Sequence, residues 1–252
     1  AIASCGNAAL AAGVIAAAMN RHLEVFVPTW ADEPVVERLN DLGAVVTSCP
    51  RRPGEAGDPA YLRFREAADQ GARPFTVQGT DTPTTFDGGR TLGWELVEQV
   101  AGIESVYIQV GGGALATAVS MAMPDTVLYP VQAEGCAPLR RAWENLSPDF
   151  DFEHAARHPE DFMWPWDDEP TSAATGILDD VTYDWLPLLG QTRATGGEPL
   201  VVPETVIIEA HQLARAKTSI PVSATGSAGL AGLLHHRPTS GRAAVLFTGV
   251  QR

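Results

Sequence analysis

Residues 105–115, Ser-Val-Tyr-Ile-Gln-Val-Gly-Gly-Gly-Ala-Leu, constrain the fold more than any other stretch. Val106, Ile108 and Val110 alternate with the period of a strand. Gly111, Gly112 and Gly113 break that run, and Ala114 to Met123 follows as a small, apolar, helix-competent segment. The order is strand, glycine turn, helix. Glycines let a ligand approach the bare backbone. The first turn of the helix offers unpaired N–H groups and a positive dipole end, which suit an anion and above all a phosphate. The same residues also fit a tight turn that binds nothing. No Gly-Lys-Ser/Thr follows, so the stretch is not a Walker loop, and it is not G-x-G-x-x-G.

Around this unit, strand and helix patterns alternate. Ala1-Ile2-Ala3 reads as the end of a strand and Ala8 to Met19 as a helix capped by Asn7 and packed on most sides. Strands follow at Leu23–Val27, Ala44–Cys49 and Pro74–Val77, with helices at Glu33–Leu42 and Pro59–Gln70. Thr80 to Gly89 reads as a loop and Leu92 to Val100 as a helix. After the glycine turn come a strand at Thr126–Ala133 and a helix at Ala137–Asn145. Ser147 to Pro170 is acidic and aromatic and reads as an ordered surface excursion suited to an interface. Val206–Lys217 is a helix, Ser223–Ser227 a polar turn, Ala228–His235 a helix and Ala243–Phe247 the last strand. Such alternation predicts βαβ units and parallel sheets. Polar turns at 4–7, 111–114 and 248–249 all follow strands, where open α/β sheets bind small molecules.

Composition removes several classes of function. A formal net charge of −14 opposes nucleic acid and anionic membranes as partners. No apolar run is long enough to cross a membrane. Cys5, Cys49 and Cys136 have no CxxC spacing, which suggests reduced thiols, a cytoplasmic setting and no zinc site. His154 and His158 lie four apart, but no third metal ligand is placed, so no metal is expected.

Several segments resemble the tryptophan-synthase-β-like, fold-type II enzymes that use pyridoxal phosphate. Ser4-Cys5-Gly6-Asn7-Ala8-Ala9 resembles their Ser-x-Gly-Asn loop, and Gly111-Gly112-Gly113-Ala114-Leu115 their phosphate loop. Glu134-Gly135-Cys136-Ala137-Pro138-Leu139, Thr225-Gly226-Ser227-Ala228 and Phe247-Thr248-Gly249 resemble later segments in the same order. The branch it looks most like is that of threonine synthases and threonine dehydratases. The resemblance implies two three-layer αβα lobes with mostly parallel sheets. Residues 1–95 would form a smaller lobe with the Asn loop, and 96–252 a larger one with the glycine-rich loop, the cofactor lying between them. It implies pyridoxal 5′-phosphate as cofactor, its phosphate on Gly111, Gly112, Gly113 and Ala114. Asn7 would bond the pyridine 3′-oxygen and Thr248 would face the ring nitrogen. A hydroxyl there leaves the ring nitrogen free to stay unprotonated, which suits β-elimination and β-replacement. Ser4, Cys5 and Gly6 would receive the carboxylate of a small amino-acid substrate. Cys5 reads as a buried small thiol, not a nucleophile. A homodimer fits the family.

The family's Schiff-base lysine is expected upstream of Ala1. Lys217 is the only lysine, and its neighbours Ala-Arg-Ala-Lys-Thr-Ser do not match the family motif, so the catalytic role is not assigned to it. Arg90 is a candidate donor for a substrate phosphate, or an ordinary surface arginine. Two other readings stand beside the enzyme: a non-catalytic binder of the cofactor or a phosphorylated ligand, and an interaction module built on residues 147–170.

Overall fold

The computed structural model describes residues 1–146 and 150–249. The chain divides into two compact units, one spanning Ala1–Thr85 and the other beginning at Phe86. All strand pairs in both are parallel.

The first unit runs β1 (Ile2–Ala3), α1 (Asn7–Ala18), β2 (Glu24–Pro28), α2 (Glu33–Asp41), β3 (Val45–Cys49) and α3 (Pro59–Asp69), with sheet order β1-β2-β3. Val25 and Val27 of β2 join Ile2, Val35, Leu39 and the alanines of α1 in one apolar cluster. Ala9, Ala12 and Ala16 are buried, whereas Val14 and Ile15 are 51% and 47% exposed. The expectation that α1 is packed on most sides is therefore corrected: it buries its smallest side chains, because alanine lets the helix lie close to the sheet. Asp58 caps α3 by accepting the Ala60 N–H at 2.8 Å. The strand expected at Pro74–Val77 is absent. Two bonds join this segment to β1's side, Ala1 N to Arg73 O at 2.9 Å and Phe75 N to Ala1 O at 2.8 Å. Pro74 has no N–H with which to extend the ladder.

The second unit contains α4 (Thr85–Gln99), β4 (Ser105–Gln109), α5 (Ala114–Ala122), β5 (Val127–Ala133), α6 (Pro138–Glu144), α7 (Phe152–Arg157), α8 (Trp185–Ala194), β6 (Leu200–Val202), α9 (Glu204–Lys217), α10 (Ala224–His236) and β7 (Ala243–Val245). The sheet order is β6-β5-β4-β7. The two faces of β4 alternate as a strand requires. Val106, Ile108 and Val110 face a cluster with α5 and α8, while Tyr107 faces another with α9 and α10. Sheet between two helical layers gives the three-layer αβα arrangement.

Three sequence expectations change here. Residues 85–89 are the first turns of α4, not loop: a Cβ at Gly89 would lie 2.5 Å from the Ala118 Cβ, and one at Gly93 2.7 Å from the Ala122 Cβ. The glycines that read as loop punctuation let α4 approach α5. Helix α8 and strand β6 were not anticipated. Pro187 falls in the first turn of α8, where proline is tolerated, and a Cβ at Gly190 would lie 3.3 Å from Phe152 Cε1. The aromatic excursion, whose residues 147–149 lie outside the described ones, turns inward. Ala155 is fully buried, Phe150 and Phe162 pack on the core, and Arg141 lies over Trp164 at 4.1 Å. The aromatics that suggested an interface cover the unit's own helices.

Candidate functional site

In the second unit the chain moves outward from β4 to β5 and β6, then returns with β7 on the other side of β4. The direction reverses between β4 and β7. In open α/β sheets, ligands bind at the carboxyl edge of such a reversal. Gly111 leaves β4 and Thr248 leaves β7 at that edge.

Gly113 caps α5 with φ of +99°, a left-handed conformation open to glycine. A side chain there would also press on Thr182 Cγ2 at 3.1 Å. Gly113, the capping residue of α5, has no side chain to cap the helix with, and the N–H groups of a first helical turn have no acceptor within the helix, which suits an anion. The loop is held from its other side. A Cβ at Gly111 would collide with the Asp179 carboxylate and come within 3.0 Å of Ile177 Cα, and Asp184 donates its N–H to Gly112 O at 2.9 Å. The segment 177–184 thus fixes the loop from behind. This arrangement fits a phosphate on Gly111, Gly112, Gly113 and Ala114.

Thr248 is held by two groups. The Gln109 amide donates through Nε2 to Thr248 Oγ1. The backbone beside it is clamped by α10: Ser223 N donates to Gly249 O at 2.9 Å, and a Cβ at Gly226 would lie within 2.7 Å of Gly249 Cα. Ser223 also caps α10, accepting the Gly226 N–H at 3.1 Å. The expected polar turn at 223–227 is therefore the capped start of a helix. Thr248, Gly226 and the end of β4 come together here.

After β5, Glu134 accepts the Glu204 N–H at 2.8 Å and so caps α9. Cys136 is fully buried and its thiol donates to Asp179 O at 3.3 Å. Burial, reinforced by the nearby Asp179 and Asp180 charges, pushes the thiol up to about 12, so it stays protonated and is no nucleophile.

Ser4, Cys5, Gly6 and Asn7 belong to the first unit, directly after β1. The Gly6 N–H donates to Ser4 Oγ at 3.4 Å. Asn7 does not cap α1. It is the first helical residue, and the capping position falls on Gly6, which has no side chain to cap with. The Asn7 side chain is exposed. Cys5 is half-buried against the apolar cluster of α1, not enclosed as expected.

Lys217 lies exposed in the last turn of α9. Arg90 lies on α4, donating to Asp87 Oδ1 at 3.3 Å and to Met121 Sδ at 3.6 Å. His154 and His158 are exposed neighbours with rings 4.7 Å apart, and the described residues hold no cluster of His, Cys, Asp or Glu able to bind a metal. Among the described residues no helix is long and apolar enough to cross a membrane. Sequence reasoning overlooked Gln109, Ser223 and the 177–184 segment. Gln109 carried a signal, as the one amide within the apolar run of β4. The segment 177–184 carried none, because its contacts with the loop are long-range.

The doubly wound second unit, with a glycine loop and a hydroxyl at its reversal point, defines a small-molecule-binding α/β protein. Residues 1–249 match the family described as pyridoxal-phosphate dependent enzyme, and the chain belongs to that family. Its cofactor is pyridoxal phosphate, and its fold is that of the fold-type II members. It is 27% identical over 161 residues to L-serine dehydratase of Saccharomyces cerevisiae (strain YJM789), covering 58% of this chain and 47% of that protein. It is 30% identical over 151 residues to biosynthetic L-threonine dehydratase of Escherichia coli, covering 58% of this chain and 28% of that protein. The matched region thus spans less than half the length of these curated relatives. Among solved structures, the processed form of threonine deaminase isoform 2 from Solanum lycopersicum superposes with a TM-score of 0.75 at 18% identity, over 99% of this chain and 68% of that one.

Proposed function

We propose that the full-length protein catalyses β-elimination or β-replacement on a small amino acid, in the manner of serine and threonine dehydratases or threonine synthases. Bound pyridoxal phosphate supplies the electron sink that lets a Cα–H bond ionise. The N–H groups of Gly111, Gly112, Gly113 and Ala114 bind its phosphate, Asn7 bonds its 3′-oxygen, and Thr248 meets its ring nitrogen. Ser4, Cys5 and Gly6 orient the substrate carboxylate through hydroxyl and backbone donors. The assembly is a homodimer and the setting is cytoplasmic.

The observation that carries this reading is Thr248 at the carboxyl edge of the β4/β7 reversal, fixed by Gln109 and the start of α10. A hydroxyl is a weak partner for a ring nitrogen. It leaves the ring less positive than a carboxylate would, and a weaker sink favours elimination and replacement over transamination. The 27% and 30% identities to L-serine and L-threonine dehydratases support the same reading. The test is turnover by the full-length protein. Loss of water from L-serine or L-threonine gives an enamine, whose imine tautomer takes up water and releases ammonia to leave the corresponding 2-oxo acid, measured by coupled reduction. Release of 2-oxo acid and ammonia in equal amounts, or replacement when a second nucleophile is supplied, is expected. A cofactor-loaded protein that does neither contradicts the proposal.

A further inference from the structure

The side chain of Gln109 is the unexplained polar group of the crevice. It stands on β4 between Ile108 and Val110, both buried in the apolar core, and is itself only 6% exposed. Burying an amide in such a strand is unfavourable unless its hydrogen bonds are met. Only one end is met. Nε2 donates to Thr248 Oγ1 and lies 3.5 Å from Gly226 O, while Oε1 is buried with no hydrogen-bond partner among the described residues.

The orientation of this amide follows from Gly226. A backbone carbonyl accepts and cannot donate, so the amide end facing it must be the NH₂. That same NH₂ then donates to Thr248. A hydroxyl has one hydrogen and two lone pairs. With a lone pair taken by Gln109, the single Thr248 hydrogen is left for another acceptor. The clamp of Ser223 and Gly226 on Gly249 keeps the backbone beside Thr248 from turning away.

We propose that Gln109 is a positioning residue that locks the Thr248 hydroxyl as a donor. The crevice then selects a ligand atom that carries a lone pair, an unprotonated ring nitrogen, over a protonated one that would itself need an acceptor. This role rests on the pyridoxal phosphate reading of the crevice. It adds a residue of the strand interior to the group that sets the electronic state of the cofactor, acting through Thr248 and not by contact.

The test uses the full-length protein and pyridoxal 5′-phosphate labelled with ¹⁵N in the ring, read by nuclear magnetic resonance and by binding titration. In the unsubstituted protein the ring nitrogen should give the signal of an unprotonated, hydrogen-bonded pyridine at neutral pH. Gln109→Met fills the same space without an amide. It should weaken binding about tenfold, the scale of one net hydrogen bond, and let the ring nitrogen protonate as pH falls. Gln109→Glu places an acceptor beside Thr248, reverses the hydroxyl and should shift the ring nitrogen towards protonation at neutral pH. In a Thr248→Val background, Gln109→Met should cost nothing further. A protonated ring nitrogen in the unsubstituted protein overturns the proposal, even if no variant folds. An unchanged affinity and signal in Gln109→Met, or an undiminished cost in the Thr248→Val background, also overturns it while leaving the cofactor reading intact. Failure of the unsubstituted protein to bind the cofactor defeats that reading, and this role with it.

Discussion

At the scale of single residues, one buried thiol and one buried phenol of the second unit favour their neutral states. Cys136 and Tyr107 are both fully buried, and burial pushes each up to about 12. The folded protein therefore keeps these protons at a pH where the unfolded chain has released them. Their stabilising contribution is complete below the ordinary thiol value of 9.0 and the ordinary phenol value of 10.0, and is lost as pH rises towards about 12. Urea midpoints should fall steadily as pH is raised from about 9 to 11, and Cys136→Ala should flatten the lower part of that fall. A midpoint that rises with pH in this window would contradict the burial of both groups. The thiol should also resist alkylation in the folded protein and react promptly once urea unfolds it.

At the scale of elements, α4 shows how glycine can mislead. A Cβ at Gly88 meets open space, whereas one at Gly89 meets the Ala118 Cβ at 2.5 Å. Gly88→Ala should therefore stabilise the helix by about 0.5–1 kcal/mol through propensity alone. Gly89→Ala should destabilise by about 1–3 kcal/mol through overpacking against α5. Denaturant unfolding of the two variants gives opposite signs if α4 lies on α5 as described, and the same sign if it does not. From sequence these two residues are indistinguishable, since both belong to a polar run that reads as loop. What was legible had a local cause. The alternation of Val106, Ile108 and Val110 marked β4, the triple glycine marked the turn, and small apolar runs marked α5 and α10. What was not legible depended on distant partners. Asn7 could be placed beside a helix start, but not one position inside it. The 150–170 aromatics could be recognised as ordered, but not as facing α6 and α8. Thr248 was found by its place after a strand, whereas Gln109, which holds it, sits two residues before the glycines in what reads as plain strand.

At the scale of the whole molecule, we propose that the carboxyl edge of the second sheet holds pyridoxal phosphate by its phosphate, at the start of α5. Sheet order, the glycine loop, the clamp on Thr248 and family membership all lead to that edge. Gly112 is the one glycine of the three that is not buried. Its replacement by valine places a branched side chain where the phosphate would sit. The most direct measurement is a titration of the full-length protein and its Gly112→Val variant with pyridoxal 5′-phosphate and with pyridoxal, which lacks the phosphate. The unsubstituted protein should bind the phosphate ester at least about a hundredfold more tightly than pyridoxal, in line with several charge-assisted hydrogen bonds. Gly112→Val should abolish that preference while unfolding at a similar temperature. Equal affinity for the two compounds, or a Gly112→Val variant that binds the phosphate ester as tightly as the unsubstituted protein, would mean that the glycines only turn the chain.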